Sequence, residues 1–275
     1  MEKRQIRYLA FLDILGFKDL IENNNLSEIV KLYEKFEPSL LYSMAVSNIR
    51  YRLDNLSEHS LPSAEQTHLN SLFISDSIII WTDDDSPNRF VDLVSVVKQH
   101  MKLAIEFGFP LRGAISCGEL EIKTGNHGMT KKQNSFNTIL GLPLTKAYLL
   151  ENTAEWSGCV IDDEAIKHYN LTVNFIKTTQ PKTLDLDGLM RMDFIRPYKV
   201  PMKTGQIKEF YTINWTHFMG PRIKENLIRK SFSQHNKRTN DWSVENKIKN
   251  TLNYYKATKK DYNFLIKMIE NKNVI

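Results

Sequence analysis

Tyr8-Leu9-Ala10-Phe11-Leu12-Asp13-Ile14-Leu15-Gly16-Phe17 is an apolar run interrupted by one carboxylate and closed by a glycine. It reads as a buried strand from Arg7 to Leu15, ended at Gly16. A lone carboxylate in such a run is costly unless a cation or a hydrogen-bond network balances it. The same pattern recurs at Leu72-Phe73-Ile74-Ser75-Asp76-Ser77-Ile78-Ile79-Ile80. Here the small residues Ser75 and Ser77 flank the carboxylate, which reads as a tight turn between strands Leu69–Ser75 and Ser77–Trp81. Either aspartate alone is explained by capping or turn chemistry. Taken together, they suggest a shared divalent-metal site if the hairpin pairs with the first strand.

Outward from these runs, helical spacing of apolar residues marks Leu26 to Ser47, with a kink or break at Pro38, and Phe90 to Phe107. Asn48 to Thr67 is polar and irregular, apart from a short strand around Tyr51. Thr82-Asp83-Asp84-Asp85-Ser86-Pro87 is a loop and helix start, its acidic triplet explained by turn and cap chemistry. Leu111–Ser116 and Glu119–Ile122 read as a strand pair bent at Gly118, and Lys123 to Asn137 as a polar loop holding His127. Leu144–Asn152 is helical, Cys159–Ile161 and Glu209–Trp215 are strands, and Val244–Tyr255 and Asp261–Asn271 are terminal helices. Strands separated by long helices, with one hairpin mid-chain, predict an α+β fold: a single mixed sheet covered by helices. Residues 1–215 read as the main domain, which carries both aspartates, and 216–275 as a basic helical extension.

Composition narrows the function classes. The 275 residues are 41% hydrophobic and 25% charged, enough for a sizeable core. No apolar run reaches the roughly 18 residues a bilayer span needs, and the start lacks the pattern of a signal peptide. A cytoplasmic location with two reduced thiols, Cys117 and Cys159, is expected. The net charge is +5, and from His217 onward 13 Lys or Arg face 5 Asp or Glu. These cations are scattered and form no nucleic-acid motif, so nucleic acid is not an expected partner.

The chemistry expected at the aspartates follows from their settings. Asp13 precedes a glycine and a helical start, where free backbone N–H groups suit phosphate oxygens and a glycine permits close approach. Hard cations such as Mg²⁺ or Mn²⁺ need few protein oxygens when substrate phosphates supply the rest. The expectation is a nucleoside triphosphate site with Gly16 and Phe17 at its phosphate end.

Four segments resemble class III nucleotidyl cyclases, in the family's order, over roughly residues 6 to 161. Phe11-Leu12-Asp13-Ile14-Leu15-Gly16-Phe17 resembles their first metal segment, and Ser75-Asp76 their second, where Gly-Asp is usual. Arg112-Gly113-Ala114-Ile115-Ser116-Cys117-Gly118 resembles their Arg-x-Gly-Ile-His-x-Gly strand. Gly141-Leu142-Pro143-Leu144-Thr145-Lys146-Ala147-Tyr148-Leu149-Leu150-Glu151 resembles their Gly-x-x-Val-Asn-x-Ala-x-Arg segment. The departures lie in base reading and transition-state charge. Where purine cyclases carry a base-reading lysine and acid, this chain has Asn70 and Thr138. The ribose asparagine becomes Thr145 and the transition-state arginine becomes Leu149.

Either the chain is a degenerate cyclase or it acts on another base. The Leu-Asp-Ile-Leu-Gly, Arg-Gly-Ala-Ile-Ser-x-Gly-Glu and Lys-Ala-Tyr-x-Leu-Glu stretches look like the pyrimidine cyclases of bacterial Pycsar antiphage defence, which favours the second. That resemblance implies conversion of UTP or CTP to cyclic UMP or cyclic CMP, which activates a separate effector. UTP is preferred over CTP without a residue-level reason. Two divalent ions (Mn²⁺ or Mg²⁺) would be bridged by Asp13 and Asp76, with the Ile14 carbonyl as an added ligand. A homodimer with sites at its interface is implied. Asn70 and Thr138 carry amide and hydroxyl groups able to pair with a pyrimidine edge, and Tyr51 could stack on the base or belong to the core. Lys146 or Arg112 would replace the missing arginine, unless Lys146 is simply solvated and Arg112 a structural ion pair.

Overall fold

The structure, a computed structural model, describes residues 5–52, 67–127, 134–181, 183–217 and 221–272. Its centre is β1 (Ile6–Ile14), whose apolar run fills the interior position of a seven-stranded sheet. The neighbours are β3 (Ser77–Thr82) and β4 (Leu111–Glu119), both antiparallel to it. With β2 (Leu69–Ile74), β5 (Glu121–His127), β6 (Asn134–Leu140), β7 (Cys159–Ile161), β8 (Ile195–Pro201) and β9 (Ile207–Ile213), the sheet order is β2-β3-β1-β4-β7-β9-β8. Only β4 and β7 pair in parallel, so the sheet is mixed. Strands β5 and β6 form a separate hairpin.

Helices cover the sheet. Helix α1 (Phe17–Glu22) follows β1, and α2 (Leu26–Arg52) packs on α3 (Pro87–Phe107), which lies across β1, β3 and β4. Helix α4 (Leu142–Thr153) packs on β1 and β4, and α5 (Asp163–Ile176) on β4 and α3. Helices α6 (Leu186–Arg191), α7 (Glu225–Ser233) and α8 (Trp242–Lys272) complete the chain. The fold is α+β, a mixed sheet under helices. Ile228, Phe232, Leu252 and Tyr254 of α7 and α8 belong to the same buried cluster as the sheet. Among the described residues no helix is long and apolar enough to cross a membrane.

Several elements differ from the sequence reading. Helix α2 does not break at Pro38 and runs to Arg52. Pro38 is exposed, so the carbonyl it leaves unpaired meets water and the helix continues. Tyr51 therefore lies in the last helical turn rather than on a strand, and the remainder of that stretch, 53–66, is outside the described residues. Strand β4 is unbroken through Gly118, and the expected polar loop is largely the β5–β6 hairpin. The side chain of His127 and residues 128–133 are outside the described set. The two expected terminal helices are one, α8. Cys117 and Cys159 are buried free thiols.

Candidate functional site

Antiparallel pairing of β1 with β3 sets Asp13 opposite Ser77, one residue from the hairpin tip. The Ile14 N–H donates to the Asp76 carbonyl at 3.0 Å, which ties the two aspartate segments together through backbone. The tip itself is strained, because Ser75 has φ 58, a left-handed value that favours glycine. Tyr33 of α2 braces it, its hydroxyl donating to the Ser75 carbonyl at 3.2 Å.

The face of the sheet that carries Asp13 is covered by α4, since Phe11, two residues earlier, meets the Tyr148 ring edge-on at 5.5 Å. On that face a charged chain forms. Arg112 sits opposite Asp13 on β4, and its Nη2 lies 3.7 Å from the Asp13 carboxylate. Its Nε donates to Glu151 of α4, and its Nη1 donates to the Ala154 carbonyl at 3.1 Å. Arg112 and Glu151 are both buried. Arg112 is thus a buried ion pair spanning two carboxylates, the structural alternative of the sequence reading, and its guanidinium is largely committed to α4.

Burial dominates the electrostatics of this cluster. Burial first, then the nearby carboxylates of Glu151 and Asp76, push Asp13 from 3.8 up to about 7, against the pull of Arg112 and Lys203. Burial likewise raises Glu151, opposed chiefly by Arg112. Lys203, in the β8–β9 turn, is brought close by its N–H bond to the Thr153 carbonyl at 2.8 Å and by its ammonium donating to Asn152 at 2.7 Å. Sequence reasoning did not single out Glu151 or Lys203. Glu151 ends the quoted α4 segment, but only tertiary packing brings it to Arg112. Lys203 lies in a turn and gives no sequence signal.

The other expected residues are more dispersed. Lys146 is engaged by Glu164 of α5, a bond that raises its pKa, and the leading charges on Asp13 come from elsewhere. Gly16 does adopt a left-handed φ of 79, yet the space beside its Cα is filled: a Cβ there would meet Cδ of Lys237 at 2.9 Å. Chain reversal and Lys237 packing are therefore sufficient structural reasons for a glycine here. The Phe17 ring turns to the core, 6.4 Å from Tyr33. Asn70 lies near the end of β2 remote from the Asp76 turn, and its amide donates to Asp83 at 2.7 Å. Thr138 is on β6, in the two-stranded sheet, opposite Lys123 of β5. Thr145 is exposed on α4. The acidic triplet is used in turn and cross-helix contacts: Asp84 accepts from Ser86 N–H at 2.9 Å, and Asp85 meets His168 at 2.9 Å.

The donor set fits divalent ions only in a shared way. Among the described residues no group of three or more His, Cys, Asp or Glu is arranged to hold a metal. Asp13 and Asp76 supply two carboxylates, and a bound dication would favour the charged form of Asp13 that burial and the neighbouring carboxylates disfavour. The remaining ligands would have to come from a substrate.

No family model matches the chain, and no curated protein matches it. Solved structures similar to it include the adenylyl cyclase CyaB from P. aeruginosa, at 16% identity and TM-score 0.44, over 81% of this chain and 98% of that one. The guanylyl cyclase Cya2 is similar at 14% identity and TM-score 0.42, over 80% and 95% of the two chains. A rhodopsin-guanylyl cyclase catalytic core in complex with ATPalphaS is similar at 13% identity and TM-score 0.43, over 78% and 99%. At such scores, function has to be argued from the residues of the site.

Proposed function

We propose that the chain is a nucleotidyl cyclase acting on a pyrimidine ribonucleoside triphosphate, UTP before CTP, to give the 3′,5′-cyclic monophosphate and pyrophosphate. The observation that carries the reading is the Asp13–Asp76 pair, joined through the Ile14 N–H, with the charged form of Asp13 disfavoured by burial and by neighbouring carboxylates. In the reaction the 3′-hydroxyl attacks the α-phosphorus of its own nucleotide, and pyrophosphate leaves. Two Mn²⁺ or Mg²⁺ ions held by Asp13, Asp76 and the Ile14 carbonyl would ease loss of the hydroxyl proton and offset phosphate charge. The protein's own work is positioning and charge placement. Arg112 and Glu151 fix the orientation of Asp13, and Lys203 adds positive charge on the same side, where a triphosphate needs it. Of the available cations, Lys203 suits that role better than Lys146, which Glu164 engages.

The same reading includes a homodimer. On α4, Leu142, Thr145 and Leu149 recur at i, i+3 and i+7, with Leu142 70% and Leu149 57% exposed. An exposed apolar row beside a charged site suits a second copy, whose base-reading residues would then complete the pocket. Asn70, Thr138 and Tyr51 are assigned to that role, Thr145 to the ribose, and Gly16 and Phe17 to the backbone near the phosphates. A cytoplasmic protein whose cyclic product acts on a separate effector in antiphage defence completes the proposal.

The test is incubation of purified protein with ATP, GTP, CTP and UTP separately, with Mn²⁺, and mass spectrometry of the products. Cyclic UMP or cyclic CMP alone supports the reading. A cyclic purine product overturns the pyrimidine assignment. A second reading, a nucleotide-binding module without turnover, is favoured by Leu149 in place of the expected arginine and by the commitment of Arg112 to Glu151. Nucleotide binding with Mn²⁺ but no product would decide for it.

A further inference from the structure

The turn that follows Asp13 is gripped from outside by a segment more than two hundred residues later. After α7 the chain reverses through His235 and Asn236, both left-handed at φ 61 and 58. The reversal lays residues 234–238 over α1 and the end of α3. The Asn24 side chain donates to the His235 carbonyl at 2.9 Å, and the Asn23 side chain to the Asn236 carbonyl at 3.0 Å. The His235 ring stacks on Phe109 with centroids 5.1 Å apart and bonds the Phe107 carbonyl at 2.7 Å.

Two cations complete the grip. Lys237 is 6% exposed, and its ammonium donates to the Gly108 carbonyl at 2.6 Å and the Ser231 carbonyl at 2.9 Å. Its methylenes pack on Gly16. Arg238 donates from its backbone N–H to Asp19 Oδ2 at 3.0 Å and from Nε to Oδ1 at 3.1 Å. Coverage of Gly16 alone would be met by any long apolar side chain. A buried ammonium is costly and here directional: it bonds the end of α3 and the end of α7, while its methylenes lie against the β1–α1 turn. Helix α1 has only six residues and cannot hold itself as an isolated helix.

We propose that residues 234–238 form a positioning clasp, in which Lys237 and Arg238 hold the β1–α1 turn so that Asp13 and the Ile14 carbonyl keep the geometry for a metal–nucleotide complex. The α7–α8 extension thereby sets the affinity of the site. This rests on the metal–nucleotide reading of Asp13 and Asp76. Lys237 and Arg238 are positioning residues, since they act through Gly16 and Asp19.

The test uses the full chain with Lys237→Met, Arg238→Ala and Arg238→Lys, and Val173→Ala in α5 as a destabilised control away from the turn. Hydrogen exchange of amides 14–24 is followed without metal. Mn²⁺ affinity is then measured by electron paramagnetic resonance in the presence of α,β-methylene-UTP. The clasp predicts at least tenfold faster exchange over 14–24 in Lys237→Met and Arg238→Ala, with β4 unchanged, and at least fivefold weaker Mn²⁺ binding. Arg238→Lys recovers part of both. Exchange and Mn²⁺ binding no different from Val173→Ala at equal loss of melting temperature overturn it. If wild-type protein binds no Mn²⁺ with the analogue, the metal–nucleotide reading fails and the proposal falls with it. Wild-type Mn²⁺ binding with unchanged exchange in the variants overturns the clasp alone.

Discussion

Replacing Asp13 by Asn should make the metal-free protein more stable at alkaline pH. Burial and neighbouring carboxylates raise Asp13 from 3.8 to about 7. Between those values the folded chain binds more protons at this site than the unfolded chain does. Stability therefore falls as pH rises through that window and is lowest above about 7. At ~1.4 kcal/mol per pH unit the full penalty is roughly 4 kcal/mol. The side chain is 24% exposed, and solvent screening reduces the expected gain to about 2 kcal/mol. Arg112 keeps its bonds to Glu151 and the Ala154 carbonyl in the variant, so no cation is orphaned. The assay is urea unfolding in EDTA at pH 8 and again at pH 5.5. The variant should gain stability at pH 8 and gain less at pH 5.5. Adding Mn²⁺ with a nucleotide should stabilise the wild-type protein and not the variant. An Asp13→Asn protein no more stable than wild type at pH 8 in EDTA would refute the argument that burial and neighbouring carboxylates hold the charged form of Asp13 at a cost.

Other perturbations read different parts of the site. Asp76→Ala should remove cyclic product while leaving the unfolding transition in place, because the structural bond at that position is made by its backbone carbonyl; product formation at the wild-type rate would sink the metal assignment. Ser75→Gly should raise stability by ~1 kcal/mol in urea unfolding, since glycine takes the left-handed φ of 58 without strain. Arg112→Met should cost about 3 kcal/mol at pH 8, because it leaves Glu151 buried without its partner, and the loss should shrink as pH falls and Glu151 takes up a proton. Leu149→Glu on the exposed α4 row should shift the protein to monomer in analytical ultracentrifugation and abolish turnover; an active monomer would exclude a shared site.

What could be read from the sequence depended on whether a residue's meaning was local. The β1 run, the hairpin around Asp76 and helix α3 announce themselves through unbroken apolar stretches or clear periodicity, and they appear within a few residues of their expected bounds. Strand β8 does not, because Pro197 and Pro201 argue against a strand; they are tolerated here because β8 is the sheet edge. Helix α8 reads as two helices because Lys256 to Asp261 offers no apolar face, although nothing in that stretch breaks a helix. The site divides along the same line. Asp13 and Asp76 stand out because each violates an apolar pattern, and a violated pattern is visible in one dimension. Glu151, Lys203 and Lys237 violate nothing locally: a glutamate near a helix end and lysines near turns are ordinary until the sheet brings β4, α4 and the β8–β9 turn together, and until the α7 reversal carries Lys237 onto Gly16. The residues that place charge are therefore separable in sequence from those that position it. Substitutions at Asp13 and Asp76 should act on the chemistry, whereas those at Glu151, Lys237 and Arg238 should act on geometry, with effects that conservative replacements partly recover.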